Sequence, residues 1–416
     1  MSSAGPRASS QDSMTAGHPA RWHLLGGVVA LYFCFGVVLT SIAPILSVVQ
    51  DDLGASRSQM GVILSSWALV FIFTAPLAGR AIDRIGLPVG LFFAGLSIAI
   101  SAVARALSPS TAVLWFAVAL FGIGGPLVST GAPALVARFF ADERERQRAV
   151  SMYAVAPALG SVAVLAATNQ LLLPWLGSWR AVLAFEAGLT VAATIGWALI
   201  SRTDSTIGPP SRTTQAARTS GGTMALARDR GVQAALVTAF LLFFLNHSLN
   251  TWYPTLLEDI GDLSPDAAST WVAASVAVGI GAALGVPRLA AGRSSATTLA
   301  ALAIATTVGL LVVAAGPGMT IGAGALVVGL RGAFIPLGAM LLLQTPAVTA
   351  DNAGTANGIW FAAGEVGGVS GPILIGVLSG QSSETALYAI AVVGVCVAGA
   401  MVPYRRARFA TGPDLQ

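Results

Sequence analysis

The chain has no lysine, only two cysteines and three histidines, and few charges: 10% of its 416 residues are Asp, Glu or Arg. Soluble domains carry roughly 25% charged residues, so an ordinary water-soluble globule is excluded. Cys34 and Cys396 both lie inside apolar runs, which excludes a disulfide framework. No paired-aspartate motif, His/Glu metal cluster or Ser/His constellation occurs at a spacing suited to an intramembrane enzyme. No G-x-x-x-x-G-K-[ST] loop is present, so ATP is not the energy source. No cofactor and no nucleic-acid partner are implied. The all-arginine basic set is read as genomic base composition rather than a demand for guanidinium chemistry.

What the chain does have is apolar length. It is 55% hydrophobic, with a mean hydropathy of +0.78. Runs of about 20 apolar residues cross a hydrocarbon core roughly 30 Å thick. Twelve such spans are read at 24–48, 58–80, 87–106, 111–137, 149–172, 180–201, 231–256, 266–290, 295–315, 319–343, 353–378 and 384–404. The expectation is an all-α membrane protein with no space for a soluble catalytic domain.

Charge placement orients it. An even number of spans puts both termini on one side, and that side collects eighteen arginines; Arg57, Arg105 and Arg180 are read as lying on the other, with Asp51, Asp52, Glu258, Asp259, Asp262 and Asp266. The positive-inside rule then places both termini in the cytoplasm. Residues 1–22 and 405–416 read as tails, the first disordered and without a signal-peptide core. Residues 202–230, rich in Ser, Thr, Gly and Arg, read as a linker between six-span halves at 23–201 and 231–404. At an offset of 207, RAVSMYAVAPALG (148–160) lies over TANGIWFAAGEVG (355–367), and Gly122 and Gly131 fall on Gly329 and Gly338. At 210, Pro44 falls on Pro254 and Asp52 on Asp262. Two parallel six-helix repeats are expected, each with two inverted three-helix units and a site at the midplane between them.

GRAIDRIG (79–86) resembles the signature between helices two and three of the major facilitator superfamily, matching at Gly79, Asp83, Arg84 and Gly86; Leu87 and Pro88 replace its final basic pair. ERQRAVSMY and GSWRAVLAF resemble the family's entries to helices five and six. The resemblance implies two six-helix bundles around a cavity lined by helices one, four, seven and ten, working by alternating access. Asp83 is expected to lock the cytoplasmic side against Arg138, Arg148 and the start of helix eleven, where Asn357 lies. The copy of the loop before span nine keeps only Arg293. Spans one and seven also resemble the cyanate and nitroimidazole transporter-like branch, whose helix-one arginine is replaced by Val38, Leu39 and Thr40 here. The drug-antiporter G-x-x-x-G-P-x-x-G-G of helix five is absent.

Inside the membrane, Arg331 lies 12 residues from either end of span ten, about 18 Å along the helix, and cannot snorkel out. Such a placement costs about 2.5–3.5 kcal/mol, so it demands water, a ligand or a counter-ion. A salt bridge to Glu365 and an anion pocket among Gly324, Gly338, Gly124 and Gly131 are both open. Asn246, Asn250 and Tyr253 share one face of span seven, and the repeat equates them with Gly36 and Thr40, with Tyr32 a turn earlier; interhelical packing is the competing reading. Glu365, His247 and Glu186 are the coupling candidates, with Arg180 or a polar neighbour as the pairing open to Glu186; for Trp67, Trp271 and Trp360 cavity lining and membrane packing are both open. The reading is a monomeric, proton-coupled transporter of a small organic anion in the plasma membrane, a symporter or antiporter. A drug exporter and a non-transporting sensor are its alternatives.

Overall fold

The computed structural model describes residues 21–202, 226–289, 294–316, 319–349, 352–402 and 404. Residues 1–20 of the first tail, all of the second, most of the linker and Arg293 lie outside the described residues. Among the described residues twelve helices are long and apolar enough to span a membrane: α1 Arg21–Asp52, α2 Arg57–Ile85, α3 Leu87–Ala106, α4 Thr111–Phe139, α5 Glu143–Leu176, α6 Trp179–Arg202, α7 Arg230–Gly261, α8 Pro265–Arg288, α9 Ser295–Ala314, α10 Thr320–Leu343, α11 Ala353–Ser379 and α12 Ser383–Ala400. Among the described residues there is no strand.

The helix ends follow local chemistry. Ser56 and Gln59 form a capping box at the start of α2, and Ser110, Asp142, Asp229, Ser294 and Ser382 cap α4, α5, α7, α9 and α12. Polar ends therefore extend several helices beyond their apolar runs. α5 starts at Glu143 rather than 149, and α1 takes in Arg21 and Trp22 of the expected tail. GRAIDRIG is likewise mostly helix: α2 continues to Ile85, and only Gly86 turns the chain, at φ +85° and ψ 154°, a conformation reserved for glycine.

α1 is not continuous. Its regular helix stops at Thr40, a 3-10 turn spans Ala43–Ile45, and helix resumes at Leu46. Pro44 explains the break, since it supplies no N–H and clashes with the preceding turn. α5 loosens into a π-helical segment at Thr168–Leu172.

Glycines set how closely the helices cross. A Cβ on Gly160 would lie 2.1 Å from the Phe33 carbonyl oxygen, and one on Gly367 would lie 2.1 Å from that of Phe240. Both residues of the second contact are 207 positions after those of the first. Gly36 meets the Pro157 backbone, and at the same offset Phe243 meets Gly364. The α1–α5 crossing of the first six helices thus recurs as α7–α11 in the last six.

The halves meet on the side opposite the termini. Ile42, Ile45, Leu46, Met60 and Ile63 of the first half share one buried apolar cluster with Leu249, Trp252 and Leu256 of the second. A Cβ on Gly61 would lie 2.5 Å from the Pro372 carbonyl oxygen, so α2 and α11 are in backbone contact there. Arg57 reaches Asp259 at 2.5 Å and Ser383 at 2.9 Å. From the π-helical segment, Asn169 donates to the carbonyls of Pro44 (2.7 Å) and Pro265 (3.1 Å) and to Ser269 Oγ (3.0 Å), and Gln170 donates to Thr270.

Gly367→Val is expected to lower the melting temperature of the detergent-purified protein by the equivalent of about 1–3 kcal/mol or more, because backbone occupies the space. Gly188→Ala, where nothing lies within 4 Å, should leave it unchanged. Equal melting of the two variants would contradict the close-crossing account.

Candidate functional site

Arg331 does not sit on a regular α-helix. Gly329–Ala333 is a 3-10 turn inside α10. Gly329 and Gly332 press on α8, where a Cβ on either would lie 2.3 Å from the carbonyl oxygen of Ser275 or Gly279. With about 3.0 residues per turn instead of 3.6, residues before and after Arg331 do not keep the face a straight helix would give them. The expected glycine-flanked anion face is corrected accordingly. Gly324 packs on Gly309 and Val313, Gly338 on Leu242 and Trp360, Gly124 on Ala94 and Ile98, and Gly131 on Leu91. All four serve helix packing within a half.

The guanidinium of Arg331 turns toward α7. Nη1 donates to Asn246 Oδ1 at 2.7 Å and Nη2 to Asn250 Oδ1 at 3.0 Å. Residues four apart on a helix present two oxygens at the spacing of the guanidinium fork. Asn246 Nδ2 donates in turn to the Leu242 carbonyl at 3.1 Å, which leaves its Oδ1 for the arginine. Tyr253, a fully buried member of the same stripe, is an electrostatic neighbour of Arg331, and its hydroxyl has no hydrogen-bond partner. Arg331 is 6% exposed, its Nε is unpartnered, and both bonded oxygens are neutral. Among the described residues no ion pair joins it to Glu365. Its positive charge is held but not neutralised by contact.

Glu365 belongs to a different pair. Its Oε2 lies 3.8 Å from His247 Nδ1. Gly368 leaves the room for this, since a Cβ there would lie 2.2 Å from that nitrogen. The His247 ring in turn packs on Trp67 of the first half, with centroids 5.0 Å apart. A cavity of about 30 Å3 opens at this junction, lined by Leu39, Trp67 and Arg105 from one half and His247, Asn250 and Gly368 from the other.

Arg105, read at the end of the span 87–106, lies in the last turn of α3 and is buried rather than a surface charge. It is 2% exposed, donates to the Val38 carbonyl and to Ser41 Oγ, and lies over the Phe121 ring. One residue from the end of α3, it reads from sequence as a charge that sets orientation, and its burial is seen only in the fold. Glu186 faces Arg105 electrostatically; Arg180 is instead 2.8 Å from Asp52. Thr40 donates to Ser161 Oγ at 2.7 Å and ties α1 to α5. Tyr32 stacks on Phe35 and meets Tyr153 edge-on within the first half. Trp360 is buried against Phe243 and Phe361, and Trp271 lies against Gly322.

The signature residues are spread along the opposite end of α2. Asp83 and Arg84 are exposed, as is Arg148, while Arg138 and Asn357 are half-buried. Among the described residues no ion pair links Asp83 to Arg138 or Arg148. A Cβ on Gly79 would meet only Thr130, at 3.9 Å, so this conformation does not require glycine there.

Two six-helix halves that meet around a charged, membrane-buried cavity define a polytopic carrier rather than an enzyme. The family model described as Major Facilitator Superfamily matches residues 28–372, and the chain belongs to that superfamily; it is a transporter of that fold. It is 35% identical over 106 residues, 25% of this chain and 20% of the other, to the probable vesicular acetylcholine transporter-A of Danio rerio. It is 24% identical over 240 residues, 57% of this chain and 56% of the other, to the uncharacterized transporter YycB of Bacillus subtilis (strain 168). The matched stretch of the first of these relatives is thus about a fifth of its length. Among solved structures the chain is similar to a bacterial homolog of the human lysosomal transporter Spinster in an inward-facing, unoccupied conformation. The TM-score is 0.77 at 14% identity, with 96% of this chain and 100% of that one covered; at that identity the likeness concerns the fold.

Replacing Asn246 and Asn250 together by alanine should strand a buried guanidinium and destabilise the protein by about 3 kcal/mol or more. Adding Arg331→Met to that double variant should recover most of the loss, read by thermal unfolding in detergent. No recovery would mean that the asparagines support something other than the arginine.

Proposed function

We propose that this transporter moves a small organic anion across the cytoplasmic membrane by alternating access, as a monomer driven by protons, with both termini in the cytoplasm. The observation that carries this is the state of Arg331: a guanidinium at mid-membrane, bound by two neutral amide oxygens, next to the cavity between the halves. A fixed structural charge in such a place is normally met by a carboxylate. Neutral partners keep the cation in place while leaving its charge for a ligand carboxylate, which a guanidinium grips at two points.

Proton coupling is supported by Glu365 and His247. Both are acid–base groups, they lie within 4 Å of each other, and the His247 ring touches Trp67 across the junction. A proton taken up there changes the charge at a contact between halves, which is how a local event biases a two-state element. With the arginine-rich loops in the cytoplasm, the Arg57–Asp259 contact and the Asn169 clasp fall on the outer side, and this conformation is closed to the exterior. The inner gate of the alternate state is assigned to Gly79, Asp83, Arg84, Gly86, Arg138, Arg148 and Asn357. Asp83, exposed here, is free to engage when the halves rock.

A second reading is an organic cation such as an amine or a quaternary ammonium, acetylcholine being the molecule in the name of one relative, with Glu365 as its counter-charge. Arg331 weighs against it, because an uncompensated cation repels an amine.

Uptake into proteoliposomes separates the two readings. Organic anion uptake should rise when the outside is made acid and collapse with a protonophore. Arg331→Ala should lower it roughly tenfold or more. Glu365→Gln should preserve anion exchange while abolishing its response to the proton gradient. Uptake of amines alone, undiminished in Arg331→Ala, would overturn the proposal.

A further inference from the structure

We infer that Arg105 is a second substrate contact, supplied by the first half, and that the transported anion carries two acceptor groups, as a dicarboxylate does. This rests on the anion reading above and narrows it. Arg105 lines the same cavity as His247 and Asn250, from the opposite half. It is 2% exposed, in the last turn of α3.

The donors of Arg105 are only partly used. Nη1 donates to the Val38 carbonyl and, at 3.1 Å, to Ser41 Oγ, both freed by the break in α1 ahead of Pro44. The guanidinium carbon lies 5.4 Å above the Phe121 ring, which fixes its plane. Nε has no hydrogen-bond partner. Glu186 balances the charge without gripping the fork, since neither of its carboxylate oxygens makes a hydrogen bond. A buried arginine that served only to tie helices together would have its donors satisfied by those helices. Arg105 instead keeps an unspent donor while lining the cavity.

Arg331 is arranged in the same way from the other half: held on neutral oxygens, with its own Nε unpartnered. One guanidinium therefore stands in each half, Arg105 in the cavity wall and Arg331 behind it, bonded to the wall residue Asn250. A ligand with one acceptor group binds one half and gains nothing when the other approaches. A ligand with two is bound best when the halves close on it, and a ligand shifts a conformational equilibrium only by such a difference in affinity.

The test uses the purified full-length protein in detergent and isothermal titration with straight-chain α,ω-dicarboxylates and the monocarboxylates of equal carbon number. The wild type should bind its best dicarboxylate roughly tenfold or more tightly than the matched monocarboxylate. Arg105→Gln should remove most of that preference, weakening dicarboxylate binding roughly tenfold more than monocarboxylate binding. Arg105→Lys, which keeps the charge and loses the fork, should fall between, and it carries the comparison if Arg105→Gln does not fold. A wild type indifferent to the second carboxylate overturns the inference, as does a preference that survives in Arg105→Gln. Monocarboxylate binding that is lost in Arg331→Gln, without any dicarboxylate preference in the wild type, removes this inference alone. Absence of carboxylate binding to the wild type removes the anion reading with it.

Discussion

A guanidinium that cannot reach water organises the centre of this molecule. Burying an ion is expensive unless hydrogen bonds and a compensating field accompany it. Arg331 meets that demand with two asparagine oxygens one helical turn apart on α7. The solution links α10 to α7 inside the second half and leaves the net charge in place. Had the partner been Glu365, the pair would have been neutral and α10 would offer no free charge to the proposed anion. Glu365 instead stands by His247, beside the residue that touches the first half.

Close helix crossings make this arrangement possible. Gly329 and Gly332 bring α10 against α8 and accompany the tighter winding that aims Arg331. Gly368 clears the space in which His247 and Glu365 meet. In lipid there is little hydrophobic drive between helices, and small residues that let backbones approach supply packing energy in its place. The same crossings appear in both halves at an offset of 207, so a shared geometry carries different chemistry: Thr40 and Ser161 join α1 to α5 where the second half places its charged and amide groups.

The twelve spans were legible from composition because membrane thickness fixes helix length, and the superfamily was legible from GRAIDRIG and its position. Arg331, Asn246 and Asn250 could each be singled out as costly in lipid, yet their pairing could not be read. A 3.6-residue period assigns Arg331 to a face that the 3-10 turn at 329–333 abolishes. Arg105 was hidden for another reason. The span read at 87–106 includes it, but a cation one residue from a helix end reads as a charge that sets orientation, and only the fold shows it buried beside Glu186. The clasp of Asn169 depends on a π-helical segment, and no local sequence signal announces that change of winding.

The central claim is that the charge of Arg331 is open to an exchangeable anion. Charge displacement on a solid-supported membrane tests this most directly, because an anion reaching a buried cation moves charge before any net transport occurs. Sudden addition of a transported organic anion, with no ion gradient, should give a transient current in the wild type that is absent in Arg331→Gln. A transient of the same size in both would contradict the account.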